Sequence, residues 1–129
     1  MRKPEIKDLK NMVAEAGHND LVDDKVPVEL DASLDPKVKG VCKAKVNVDE
    51  NGKEKVDPAS VTIALNPNNH EDDADMAGTL GHELKHAAQF FGPDYDGSKK
   101  QQYEAEADQV GDNVIAFVNN GWGRGQRAA

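Results

Sequence analysis

His82-Glu83-Leu84-Lys85-His86 sets two imidazoles four residues apart, with a carboxylate beside the first. On a helix, positions i and i+4 stand one above the other, so both rings can reach a single cation. Glu83 is one step round from His82 and can lie beside that cation without binding it. Two neutral nitrogens and an adjacent carboxylate suit a zinc hydrolase. The rings hold the ion, and the carboxylate takes a proton from zinc-bound water.

A structural zinc site closes its shell with four ligands, usually rich in Cys. This chain has one Cys, Cys42, in 129 residues. The motif therefore points to an open site holding one Zn2+ ion on three protein ligands. No His follows His86, so the third ligand must be a carboxylate. Tyr103-Glu104-Ala105-Glu106-Ala107-Asp108 offers three acids on a second expected helix. At about 100° per residue, Glu104 and Asp108 share a face and Glu106 points away from it. Glu104 is accordingly assigned to the metal and Glu106 to solvent. Asp108, one turn on, is placed to accept the outer N–H of a ligating His, which fixes the ring tautomer.

At these residues the chain resembles the gluzincin clan of zinc metallopeptidases, in its minimal single-domain form: HELKH followed by Glu-x-x-Ala-Asp. The resemblance runs from about Val61 to Val118. It implies His82, His86 and Glu104 as zinc ligands, Glu83 as general base and Asp108 as the carboxylate behind His82. It also implies a zincin-like fold, hydrolysis of peptide bonds, and a protein or peptide substrate paired along strand 61–65. Larger members of the clan take a Tyr or His for the oxyanion from a later segment. Here Tyr95, Tyr103 and His70 are the aromatic donors near the site, and Tyr95 is the expected one because its loop can overhang the cleft. The competing reading is a zinc-bearing binding or regulatory module with negligible turnover, suggested by the small size. A further expectation is that residues 1–30 could cover the cleft.

These side chains need a scaffold, and the rest of the sequence limits what it can be. The length predicts one domain over residues 1–120, with 121–129 as a flexible tail that includes Trp122. Aromatic content is only 5%, so the core must rest on Val, Leu, Ile and Ala. The net charge of −8 argues against a nucleic-acid partner, which needs a cationic surface. A lone Cys, no apolar run in Met1–Lys10 and no membrane-length apolar segment together predict a cytoplasmic protein.

Apolar spacing predicts a first helix from Pro4 to Ala16, ended by Gly17. Strands are expected at Val26–Leu30, Val38–Val48, Lys53–Val56 and Val61–Leu65, with Asp49–Gly52 as a turn. The motif helix is expected over Glu71–Phe91, capped by Asn68 or Asn69, with Met76, Leu80, Leu84, Ala87, Ala88 and Phe91 inward. Gly78 and Gly81 suggest close packing of this helix against the sheet or the second helix. The last helix is expected over Lys99–Asn119. The fold class is thus α+β, with a small, mostly antiparallel sheet against two helices. Asp94–Ser98 reads as a plain turn rather than a calcium loop, and Cys42 as a buried small hydrophobe rather than a nucleophile.

Overall fold

A computed structural model describes residues 5–121 and gives an α+β chain. Pro4, the expected first-turn residue, and the tail from Trp122 onward lie outside the described residues. Helix α1 spans Ile6–Val13 and places Leu9, Met12 and Val13 in the core. It widens into a π turn at Ala14–His18, where Gly17 takes φ +103° and ends the helical path. Because Leu9 and Val13 are fully buried, this segment is part of the core. That corrects the expectation of a removable cover over the cleft.

Strands β1 (Val28–Leu30), β5 (Thr62–Leu65) and β2 (Gly40–Lys43) form a three-stranded sheet in the order β1-β5-β2. β1 runs parallel to β5, and β2 runs antiparallel to it. β1 is an edge strand, as Pro27 at its start requires. The sheet is therefore mixed, rather than uniformly antiparallel. The single strand expected over Val38–Val48 is divided. Its second part, β3 (Val46–Val48), leaves the sheet and pairs with β4 (Glu54–Val56) as a separate hairpin. The break is held by hydrogen bonds: Lys45 N donates to Ser60 Oγ at 2.7 Å, and Lys45 O accepts from Asp57 N at 2.9 Å. In the hairpin turn Asp49 Oδ1 accepts from the N–H groups of Asn51 and Lys53, and Gly52 supplies φ +78°.

β5 is central, and Ile63 and Leu65 are 1% and 0% exposed. At its end Asn66 is buried yet satisfied. Its amide donates to Val38 O at 3.1 Å, and its Oδ1 accepts from Asn68 N at 3.0 Å. The chain then enters α2 (Asp73–Phe91), which starts two residues later than expected. Its cap is Asp72, whose Oδ1 accepts from Asp75 N at 2.9 Å, and not Asn68 or Asn69. Asp75 is more than helix-start charge, since Lys39 Nζ bonds both of its oxygens at 2.9 and 3.1 Å. Leu80 and Leu84 fill the core. Phe91, expected inward, is 40% exposed, and its neighbour Phe90 packs on the core instead.

Helix α3 (Lys100–Asn119) lies against α2. Their backbones approach closely at Gly78, where a Cβ would sit 2.4 Å from Ile115 Cγ1 and 3.0 Å from the Gly111 carbonyl. Gly81 faces Val114 and Val110 of α3 and Val13 of α1. The expected close packing thus occurs between helices and not against the sheet. The turn before α3 is a plain one, with Ser98 N and Oγ both bonded to Asp96 Oδ1. Among the described residues no helix is long and apolar enough to cross a membrane.

Candidate metal centre

The close α2–α3 contact brings the two sequence motifs together. His82 and His86 sit on successive turns of α2, with ring centroids 4.8 Å apart. Glu104, in the second turn of α3, reaches both: its Oε1 lies 2.9 Å from His82 Nε2 and its Oε2 lies 3.1 Å from His86 Nε2. The two Nε2 atoms are 3.2 Å apart. One ligand atom from each of the three residues lies within 4.8 Å of the other two.

The outer ring nitrogens are engaged too. His82 Nδ1 lies 3.1 Å from Asp108 Oδ1, and His86 Nδ1 lies 2.8 Å from Gln89 Oε1. His82 Nδ1 is backed by the acceptor Asp108, while its Nε2 faces a second acceptor, Glu104 Oε1. The Gln89 amide nitrogen donates to Tyr103 O at 2.9 Å and to Glu106 Oε1 at 3.1 Å, which leaves its oxygen facing His86. His86 therefore carries a proton on Nδ1. That assignment follows from the partners. Each ring thus turns its Nε2 toward the other ring and toward the Glu104 carboxylate.

A cation among these groups would take the place of the protons that otherwise bridge the Nε2 atoms and the Glu104 oxygens. Tetrahedral zinc with N and O donors at about 2.0–2.1 Å has donors about 3.3 Å apart. The observed separations are close to that, and the donor set is the imidazole and carboxylate chemistry zinc accepts. Glu104 is half exposed, with side-chain exposure of 51%, so the shell is open on one side. Two cavities are lined by residues of this cluster. One, of about 360 Å³, is lined by His82, Glu83, Gly40, Lys39, Asp75 and Asp112, among others. The other, of about 330 Å³, is lined by His86, Glu104, Cys42, Phe90, Tyr95 and Tyr103, among others.

Glu83 points from α2 to the sheet side and is 7% exposed. Burial, helped by the nearby Glu104 charge, pushes its carboxyl up to about 7. A carboxylate tuned there can both take and return a proton near neutral pH. Cys42, on β2, is pushed up to about 12 by burial and then by Glu83. It is therefore a thiol and not a thiolate, in agreement with the sequence reading. Tyr95 stacks between Phe90 and Tyr103, at centroid distances of 4.9 and 5.7 Å. Burial and the Glu54 charge raise its phenol above the usual value, so it remains a proton donor.

Two site expectations change. Glu106 is not a free surface acid: it accepts from Gln102 and Gln89, which hold its carboxyl below the usual range. Strand 61–65 cannot take a substrate strand, because β1 and β2 already occupy both of its edges. The free edge beside the site belongs to β2, whose Gly40 and Cys42 line the two cavities. Gln89 was not among the expected site residues. Its only sequence signal is a position three after His86, on the same side of the helix. The other two histidines, His18 and His70, bond to Asn113 of α3 and Thr79 of α2, each at 2.9 Å.

Compared with known proteins, the chain matches no family model, no curated protein and no solved structure.

Proposed function

We propose that this protein is a zinc-dependent metallopeptidase of a minimal, zincin-like kind. The observation that carries the reading is the cluster of His82, His86 and Glu104, with both rings held by their outer nitrogens so that both Nε2 atoms and the carboxylate converge. One cation fits there, and zinc suits the donors best. Zinc, when bound, supplies Lewis acidity toward a carbonyl oxygen and toward water.

The chain's own residues supply the rest. Glu83, buried and with its carboxyl near 7, accepts a proton from the attacking water and passes it to the leaving amine. Asp108 holds the His82 ring in place from behind. The open edge of β2 offers backbone groups to an extended peptide by strand addition, with a cavity on either side for side chains. Tyr95, a protonated phenol in the cavity wall with His86 and Glu104, is the candidate donor to the developing oxyanion. The partner is thus a peptide or protein substrate. The net charge of −8 weighs against a nucleic-acid partner. Its one free thiol suits a reducing compartment, which makes the cytoplasm part of the reading.

The test is to measure zinc in the purified protein and then assay a mixed peptide library. Glu83→Gln should keep the metal and lower cleavage by about 10²–10⁴-fold. Zinc bound without cleavage by the wild type would reduce the protein to a metal-bearing binding module. Absence of bound zinc would remove both readings.

A further inference from the structure

His82 and His86 are backed differently. Behind His82 stands a charged, 61% exposed carboxylate, Asp108. Behind His86 stands a neutral amide, Gln89, whose orientation is imposed by α3. Its nitrogen faces the Tyr103 carbonyl at 2.9 Å and the Glu106 carboxylate at 3.1 Å. Both of these only accept, so the amide cannot turn over without placing its oxygen against two oxygens. Its Oε1 is thereby fixed at 2.8 Å from His86 Nδ1.

We propose that Gln89 is a positioning residue: oriented by Glu106, it holds His86 in the Nδ1–H tautomer and so presents Nε2 to the metal. The proposal rests on the metal-site reading above and adds to it a three-link chain, Glu106–Gln89–His86. Which ring nitrogen of a His carries the proton is set by the hydrogen bond at the other. Without an acceptor at Nδ1, an imidazole favours the Nε2–H form, which would aim a donor into the space shared with Glu104.

The same amide has a second effect. Tyr103 directly precedes Glu104, so the bond to Tyr103 O ties the ligand-bearing turn of α3 to the ligand-bearing turn of α2. One side chain on α2 thus registers a ligand from each helix. An amide also does this without adding charge. A carboxylate at position 89 would stand about 3 Å from Glu106, by the length of the present hydrogen bond. It would also add a negative charge to a site that already contains Glu83 and Glu104.

The experiment compares wild type, Q89L, Q89E and the double variant Q89E/E106Q in two measurements. The first is zinc affinity, by competition with a chromophoric chelator. The second is the 15N pattern of His86 in the metal-free protein, which reports the tautomer without any metal. Q89L should weaken zinc binding by about 10–100-fold, the usual cost of losing a partner behind a ligating His. It should also move His86 toward Nε2–H in the metal-free state. Q89E should weaken binding by setting two carboxylates together. Q89E/E106Q restores one donor facing one acceptor between positions 89 and 106 but leaves Tyr103 O against an oxygen, so it should recover part of the affinity lost in Q89E. Wild-type zinc affinity and an unchanged His86 tautomer in Q89L would overturn the proposal. If Q89L does not fold, failure of the double variant to recover relative to Q89E overturns it. A wild type that binds no zinc would remove the metal reading, while the tautomer measurement would still decide the role of Gln89.

Discussion

The two long sides of α2 are built on opposite rules. Toward the sheet and α1 the helix presents Met76, Leu80 and Leu84, which lie in a continuous aliphatic core with Leu9, Ile63 and Leu65. Toward α3 it presents Gly78, Gly81 and, on the next turns, His82 and His86. The first side gains free energy from buried area. The second gives up side-chain burial so that two backbones can approach and side chains of modest reach can meet. Stability and positioning are thus assigned to different faces of one helix, and substitutions on the two faces should have separable consequences.

The largest effect is expected from the aliphatic side. Leu80 is completely buried. Leu80→Ala removes its packing and leaves a cavity, which costs about 2–5 kcal/mol in a core of this kind. Chemical denaturation of the metal-free protein measures this. The zinc affinity of the fraction that remains folded should change little, because Leu80 faces away from α3. A large loss of affinity at constant fold would show that the two faces are not separable.

Glu83 is the exception to the aliphatic rule, a carboxylate only 7% exposed. Its carboxyl is raised from 4.5 to about 7, chiefly by burial. Between those values the folded chain holds a proton that the unfolded chain has released. The stabilisation is therefore complete below the unfolded value and is lost as pH rises through the folded one. At 1.36 kcal/mol per unit, the loss is roughly 3 kcal/mol. In the metal-free protein Glu83→Gln should accordingly match wild type at about pH 4 and exceed it by that order at about pH 8. Parallel denaturation curves for the two proteins across this range would show that Glu83 is not buried as a charge.

What could be read in advance follows the same division. The helical site was legible because its geometry is local: four residues bring His82 over His86, and the helical phase separates Glu104 from Glu106. Glu104 was named because a third ligand had to be a carboxylate, and the placement of Asp108 behind His82 was what the resemblance to the gluzincin clan implied. Long-range pairing was not. Nothing in Val28–Leu30 states that it will run parallel to Thr62–Leu65 and close one edge of β5. The alternation over Val38–Val48 passes through Ala44–Lys45 without a break, and the break is made by Ser60 and Asp57 from elsewhere in the chain. Four acids between Glu71 and Asp75 offered several possible caps for α2, and Asn66 had already drawn Asn68 into its own turn. Gln89 was hidden because a Gln on a helix usually faces water, and only the arrival of α3 gives its amide a direction.

The glycine side should respond in the opposite sense to Leu80. In Gly78→Ala the new methyl meets Ile115 Cγ1 at 2.4 Å and the Gly111 carbonyl at 3.0 Å. Ile115 can turn aside, but the carbonyl is backbone and must move with α3. Overpacking of this size costs about 1–3 kcal/mol, while exchanging Gly for Ala within a helix returns about 1 kcal/mol. The net loss of stability is then about 1 kcal/mol, the smallest of the three effects. The metal site should register it more strongly, because His82 sits one turn along and its Cβ faces Gly111 across the same contact. A shift of α3 by a few tenths of an ångström draws the Glu104 oxygens away from both Nε2 atoms at once, so zinc affinity should fall while the melting temperature changes little. Unchanged affinity in Gly78→Ala, measured by the same chelator competition, would mean that the close helix contact does not set the ligand geometry.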